Sequence, residues 1–187
     1  MDGGKIIFLH GASSSGKSTI ACAVQARIAA PFWHISIDHL RDSGVLPQAR
    51  FRTGEFRWAE SRRQFFDGFH GSLAAYAGAG NNLVLEHILD GEGWHAELTA
   101  LLAPFDMFFV GVHCPLPELI RREAARGDRP VGDAERDFNT IHRGVSYDFE
   151  VDSTSDAAAN ADSIIAAWSA RTAPSMFFRV PVPVTPL

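Results

Sequence analysis

Short apolar runs alternate along the chain with longer stretches whose apolar residues recur every three or four positions. The runs cover residues 6–9, 33–37, 83–85, 107–112 and 147–151, each short enough to be a buried strand. Between them the three-and-four rhythm predicts helices over 17–30, 60–77, 93–103, 117–126, 134–141 and 156–171. Strands separated by helices return in the same direction, so the pattern predicts an α/β fold: a parallel sheet between two helical layers, α/β/α. In the second long helix, Phe65, Phe66, Phe69, Leu73 and Tyr76 form a stripe expected to face the core, with a pocket wall as the alternative. Residues 38–58 make a connection long for an α/β unit, and mix Gly44, Pro47 and Gly54 with Phe51, Phe56 and Trp58. Long loops rich in aromatics tend to cover sites, so these three and Trp33 are candidates for an apolar pocket wall. After residue 171 the composition changes, with Pro181 and Pro183 interrupting an apolar run. The chain therefore divides into a domain over 1–171 and a Pro-rich tail over 172–187. A frayed end, an arm packed on the domain, and a contact within a homo-oligomer all suit that tail.

The turn after the first apolar run carries Gly11, Ala12, Ser13, Ser14, Ser15, Gly16, Lys17 and Ser18, followed by Thr19. This is the G-x-x-x-x-G-K-S arrangement of a P-loop, in the strand-loop-helix setting that gives it meaning. Glycines let the backbone curl so that several N–H groups aim at one phosphate, and the following helix adds its positive end. Lys17 is expected over the β- and γ-phosphates of ATP, and the Ser18 hydroxyl on Mg²⁺. A glycine-serine turn capping a helix is the plain alternative.

Two carboxylates end predicted strands on the edge where α/β sheets bind ligands. Asp38 follows the second run and is the candidate general base for a hydroxyl acceptor, or a cap for the segment after it. Glu86 follows the third run and is a candidate to bind Mg²⁺ through water or to position the substrate, with a turn cap as the plain alternative; Asp90 fits a turn better. Further on, Arg122 and Arg126 share a helical face and Arg129 lies just past Gly127, so three guanidiniums can converge as a short lid over a triphosphate. The plain reading is a solvated face with Glu123 and Asp128 as ion-pair partners. Residues 152–155 stand where nucleotide kinases often hold the base, or cap the last helix. The eight histidines show no metal-binding spacing.

Composition narrows the classes. A chain of 187 residues with 46% hydrophobic content suffices for one compact core. Its net charge of −5 and lack of a basic stripe argue against a nucleic-acid partner. No run approaches membrane-spanning length, and Cys22 and Cys114 stand apart, which fits a reducing cytoplasm.

Taken in order, the P-loop, Ile35 to Asp38, Leu83 to His87, Val110 to Pro115, Arg126 to Arg129 and His142 to Asp152 resemble the chloramphenicol phosphotransferase family of P-loop kinases, over roughly residues 5 to 170. The resemblance implies a five-stranded parallel sheet in the order 2-3-1-4-5 and transfer of the γ-phosphoryl of ATP to a hydroxyl of a small molecule. In the named enzyme that hydroxyl is the antibiotic's primary alcohol, and the aspartate matching Asp38 is the base. With the residue readings above, Lys17, Arg122, Arg126 and Arg129 join Asp38 in catalysis, with Mg²⁺ at Ser18 and Glu86. The family usually has Asp where this chain has Glu86, and Gly where it has His10. A nucleoside or metabolite kinase and a non-catalytic ATP-sensing module remain the rival readings.

Overall fold

The computed structural model describes residues 3–126 and 132–179. Arg129 of the expected lid and the proline-bearing end of the tail lie outside the described residues. The strands are β1 (Lys5–His10), β2 (Phe32–Ser36), β3 (Asn82–His87), β4 (Asp106–His113) and β5 (Phe149–Asp152). They form a five-stranded parallel sheet in the order β2-β3-β1-β4-β5. The helices are α1 (Lys17–Arg27), α2 (Ile37–Asp42), α3 (Gln48–Arg52), α4 (Trp58–Gly78), α5 (Trp94–Leu102), α6 (Leu116–Arg126), α7 (Asp133–Thr140) and α8 (Ala157–Ala170).

The central strand explains its own composition. Side chains alternate between sheet faces, and both faces of β1 are covered, so an unbroken apolar run is required. Ile7 and Leu9 enter one core with Ile20 and Val24 of α1 and Ala161 and Ile164 of α8. Ile6 and Phe8 enter the opposite core with Phe69, Leu73 and Ala77 of α4 and Leu98 and Leu102 of α5. Burying each of the larger of these side chains, the Ile, Leu, Val and Phe residues, contributes about 1.5–3 kcal/mol.

The α4 stripe divides along its length. Phe69 and Leu73 are core, Tyr76 is 40% exposed, and Phe65 and Phe66 face a cavity described below. The predicted second strand ends one residue early because Ser36 caps α2, accepting the Asp38 backbone N–H at 3.2 Å. Asp38 therefore sits in the first turn of a helix rather than on the strand tip. The connection over 38–58 holds two short helices, α2 and α3. The fifth strand begins at Phe149 rather than Tyr147, because the Tyr147 ring fills the space beside Gly111, where a Cβ would stand 2.8 Å from it.

Residues 172–179 return to the domain. The Asp148 carboxylate accepts from the backbone N–H of Phe109 at 2.7 Å and of Met176 at 2.6 Å, and from the Ser175 hydroxyl. A turn of 3₁₀ helix, Met176–Phe178, then places Phe177 fully buried against Phe8 and Phe109, at ring distances of 5.4 and 5.1 Å. No helix among the described residues is long and apolar enough to cross a membrane.

Candidate active site

The loop between β1 and α1 follows from close quarters. A Cβ on Gly11 would fall 2.5 Å from the Val112 carbonyl oxygen, so the chain can pass β4 there only as glycine. Ser14 and Gly16 hold positive φ values of 62° and 90°, the kind of backbone turn that an anion-cradling loop needs. Lys17 Nζ donates to the carbonyl oxygens of Gly11 and Ala12, both at 2.8 Å, and so lies across the loop. The Ser18 hydroxyl donates to Glu86 Oε1 at 3.0 Å, joining the two residues expected at the metal.

Glu86 is only 5% exposed, and its Oε2 is buried without a hydrogen-bond partner. Burial disfavours its charge, but His34, the Lys17 cation and Ser36 outweigh that and bring the carboxyl down to about 2. His34 Nε2 stands 3.7 Å away, so its pull is that of a neighbouring dipole or charge rather than a formed hydrogen bond. A buried anionic oxygen lacking a donor, beside a serine hydroxyl, is the hard oxygen set that suits Mg²⁺.

A single cavity of about 1240 Å³ is lined by the P-loop from Ser13 to Thr19, by Asp38, by Glu86 and by Arg122 and Arg126. The same cavity is lined by the linked rings of Phe51, Trp58, Phe65 and Phe66 and by Arg52, Arg62, His87 and Asp90. Two of the expected wall aromatics are elsewhere. Trp33 is 48% exposed on the edge strand against Tyr76, and Phe56 packs on Phe51 under Arg50 outside the cavity lining. Asp38 Oδ1 pairs with Arg41 Nη1 at 2.9 Å, an i,i+3 contact along α2 that fixes the carboxylate's direction. Burial raises the Asp90 carboxyl pKa, and Arg62 at 3.8 Å partly offsets this.

Arg122 is docked against the loop rather than held away from it. It donates to the Ser15 carbonyl at 3.3 Å and to the Ser153 hydroxyl and carbonyl at 3.2 and 3.1 Å, while Glu118 holds its Nε at 2.7 Å. Glu123, a solvated ion-pair partner in the plain alternative to the lid, points inward: its carboxylate accepts the Gly132 and Ala134 N–H groups, both at 2.9 Å, at the start of α7. Those backbone donors lower its pKa.

Two residues of α7 went unnoticed in the sequence. Asp137 is 1% exposed and accepts the Ser13 backbone N–H at 2.9 Å, pinning the loop, while Arg136 grips its other oxygen at 2.8 Å and lines the cavity. The signal was present: Ala134, Asp137 and Ile141 share one helical face, so a carboxylate lies in an apolar stripe. The histidines are likewise less scattered than their spacing suggests. His10 and His142 each place Nδ1 on the Tyr147 hydroxyl, at 2.8 and 2.6 Å, and His70 meets His87 at 3.1 Å.

Burial lowers the pKa of His10, brings His87 down to about 3, and brings His142 down to about 4. Free histidine titrates near about 6.5, so the unfolded chain binds protons that the folded chain refuses. Stability is therefore full above that value and falls as pH drops toward 4, by about 1.4 kcal/mol per pH unit for each such group. Thermal melts between pH 7.5 and 4.5 check this; a melting temperature unchanged on acidification would contradict it.

The profile of the family described as "Chloramphenicol phosphotransferase-like protein" matches residues 4–169. A Mycobacterium tuberculosis protein described as a candidate O-phosphotransferase is 29% identical over 173 residues, covering 82% of this chain and 77% of its own. Among solved structures, the M. tuberculosis APS kinase CysC, in complex with AMPPNP and APS, aligns with TM-score 0.67 at 18% identity, covering 91% of this chain and 100% of that one. A gluconokinase from Sinorhizobium meliloti 1021 aligns with TM-score 0.62 at 19% identity, covering 90% and 93%. Matched by the family profile over most of its length, the chain belongs to the chloramphenicol phosphotransferase-like family and is a kinase-type phosphotransferase.

Proposed function

We propose that the protein moves the γ-phosphoryl group of ATP to a hydroxyl of a small molecule in the cytoplasm, with chloramphenicol as the leading acceptor and antibiotic inactivation as the result. The observation that carries this reading is that one cavity is lined by the P-loop, by Asp38 and by a cluster of aromatic rings. In it the loop N–H groups and Lys17 hold the phosphates, and the aromatics hold an apolar acceptor. Asp38 accepts the hydroxyl proton as its oxygen bonds to phosphorus and the bond to the ADP oxygen breaks. Arg122, Arg126 and Arg136, with Arg129 from the adjoining stretch, offset charge on the transferring group. Ser18 and Glu86 would hold Mg²⁺, which supplies charge neutralisation on the phosphate oxygens.

A kinase for an anionic metabolite is the second reading, favoured by Arg52 and Arg62 in the lining of that cavity. One panel separates the two: purified protein, Mg-ATP, and chloramphenicol, its analogue lacking the primary hydroxyl, gluconate or shikimate. The leading reading predicts ADP and a one-phosphoryl mass gain with chloramphenicol alone. Turnover only with the acids moves the assignment to the second reading, and turnover with no hydroxylated compound overturns both.

A further inference from the structure

One buried file of side chains has no part in that chemistry. His87 follows Glu86 on β3, is 3% exposed and lines the cavity. Its Nε2 lies 3.1 Å from Nε2 of His70, a fully buried residue of α4. The other ring nitrogen of His70, Nδ1, lies 3.2 Å from Oε1 of Glu97 on α5. Aromatic rings fix the His87 plane: Trp94 stacks at 5.3 Å and 24°, Phe66 at 5.9 Å and 28°, and Phe69 meets it edge-on.

The proton positions follow from what each group can donate. A carboxylate only accepts, so His70 Nδ1 carries a proton toward Glu97. Burial lowers the His70 pKa against the pull of Glu97, leaving a neutral ring whose Nε2 is a lone pair. The contact between the two Nε2 atoms then requires the proton on His87, and His87 Nδ1 is left bare. No described residue bonds to that nitrogen, and the ring lines the cavity.

We infer that His87 determines acceptor specificity: its Nδ1 accepts a hydrogen bond from a second hydroxyl or an amide N–H carried by the acceptor besides the hydroxyl that receives phosphate. His70 and Glu97 are positioning residues that hold this tautomer. The acceptor class is thus a polyol or a hydroxy-amide. An ether, carbonyl or carboxylate placed there would set lone pair against lone pair and be rejected. This inference rests on the phosphotransfer reading.

Long-range proton-nitrogen spectra of the intact protein at pH 7.5 test the tautomer without turnover. His87 is expected with Nε2 protonated and Nδ1 bare, and Glu97→Leu is expected to mix in the opposite tautomer. A proton on His87 Nδ1 in the wild type overturns the inference. In kinetics with Mg-ATP and whichever acceptor turns over, His87→Leu is expected to raise the acceptor KM about tenfold, one hydrogen bond's worth. His87→Asn, whose side-chain oxygen can occupy the Nδ1 position, is expected to recover part of that loss. An acceptor KM unmoved by His87→Leu overturns the inference while phosphotransfer stands. A wild type that phosphorylates nothing overturns the phosphotransfer reading and this inference with it, even if the tautomer is as stated.

Discussion

Asp38→Asn is expected to lower turnover by about two orders of magnitude or more, the scale of a positioned general base, while ATP binding persists. The substitution keeps the size of the side chain and an oxygen that can still accept from Arg41, so the first turn of α2 need not move. What it removes is the place for the acceptor's proton. Binding should survive because the residues expected to hold the phosphates are those of the P-loop, and the substitution leaves them unchanged. Titration calorimetry with ATP and single-turnover transfer separate the two quantities. Equal turnover in the variant removes Asp38 from its role; lost binding as well as turnover would mean that it supports the site's structure instead.

The second large effect is on stability. Phe177→Ala is expected to cost about 3–5 kcal/mol, as for other buried phenylalanines cut back to alanine. Native domains are stable by only about 5–15 kcal/mol, so this is a substantial share. Phe177 is fully buried between Phe8 of the central strand and Phe109 of its neighbour, and its segment is tied to Asp148 through Ser175 and Met176. The loss would therefore open a cavity against the middle of the sheet. Denaturant melts of the variant measure it, with a shifted midpoint and an unchanged slope expected. A midpoint within error of the wild type would mean that the segment around Phe177 does not belong to the packed domain. By the same reasoning, deleting 172–187 tests folding before it tests any tail-borne interaction.

Much of the frame was legible because local pattern and global packing agree. The four-residue apolar run of β1 and the glycines of the following loop each have one strong explanation, a strand buried on both faces and a backbone pressed against Val112. The short helices α2 and α3 left no trace because five or six residues cannot display a helical period. The placement of Asp38 changed for a local reason, the Ser36 cap, and remained on the same cavity. Other features depend on partners far away in sequence. Asp137 reaches a loop nitrogen 124 residues away, and His70 and His87 meet only once α4 is laid on β3. The docking of Phe177 is of the same kind, since the residues that receive it belong to β1 and β4.

The most direct test follows the phosphoryl group itself. Protein, magnesium and ATP labelled at the γ-phosphorus are incubated with chloramphenicol and the acceptor panel, and the products are separated by mass. The account predicts label bonded to an acceptor hydroxyl, in one-to-one ratio with the ADP formed. Label released only as inorganic phosphate, whatever acceptor is supplied, would contradict it.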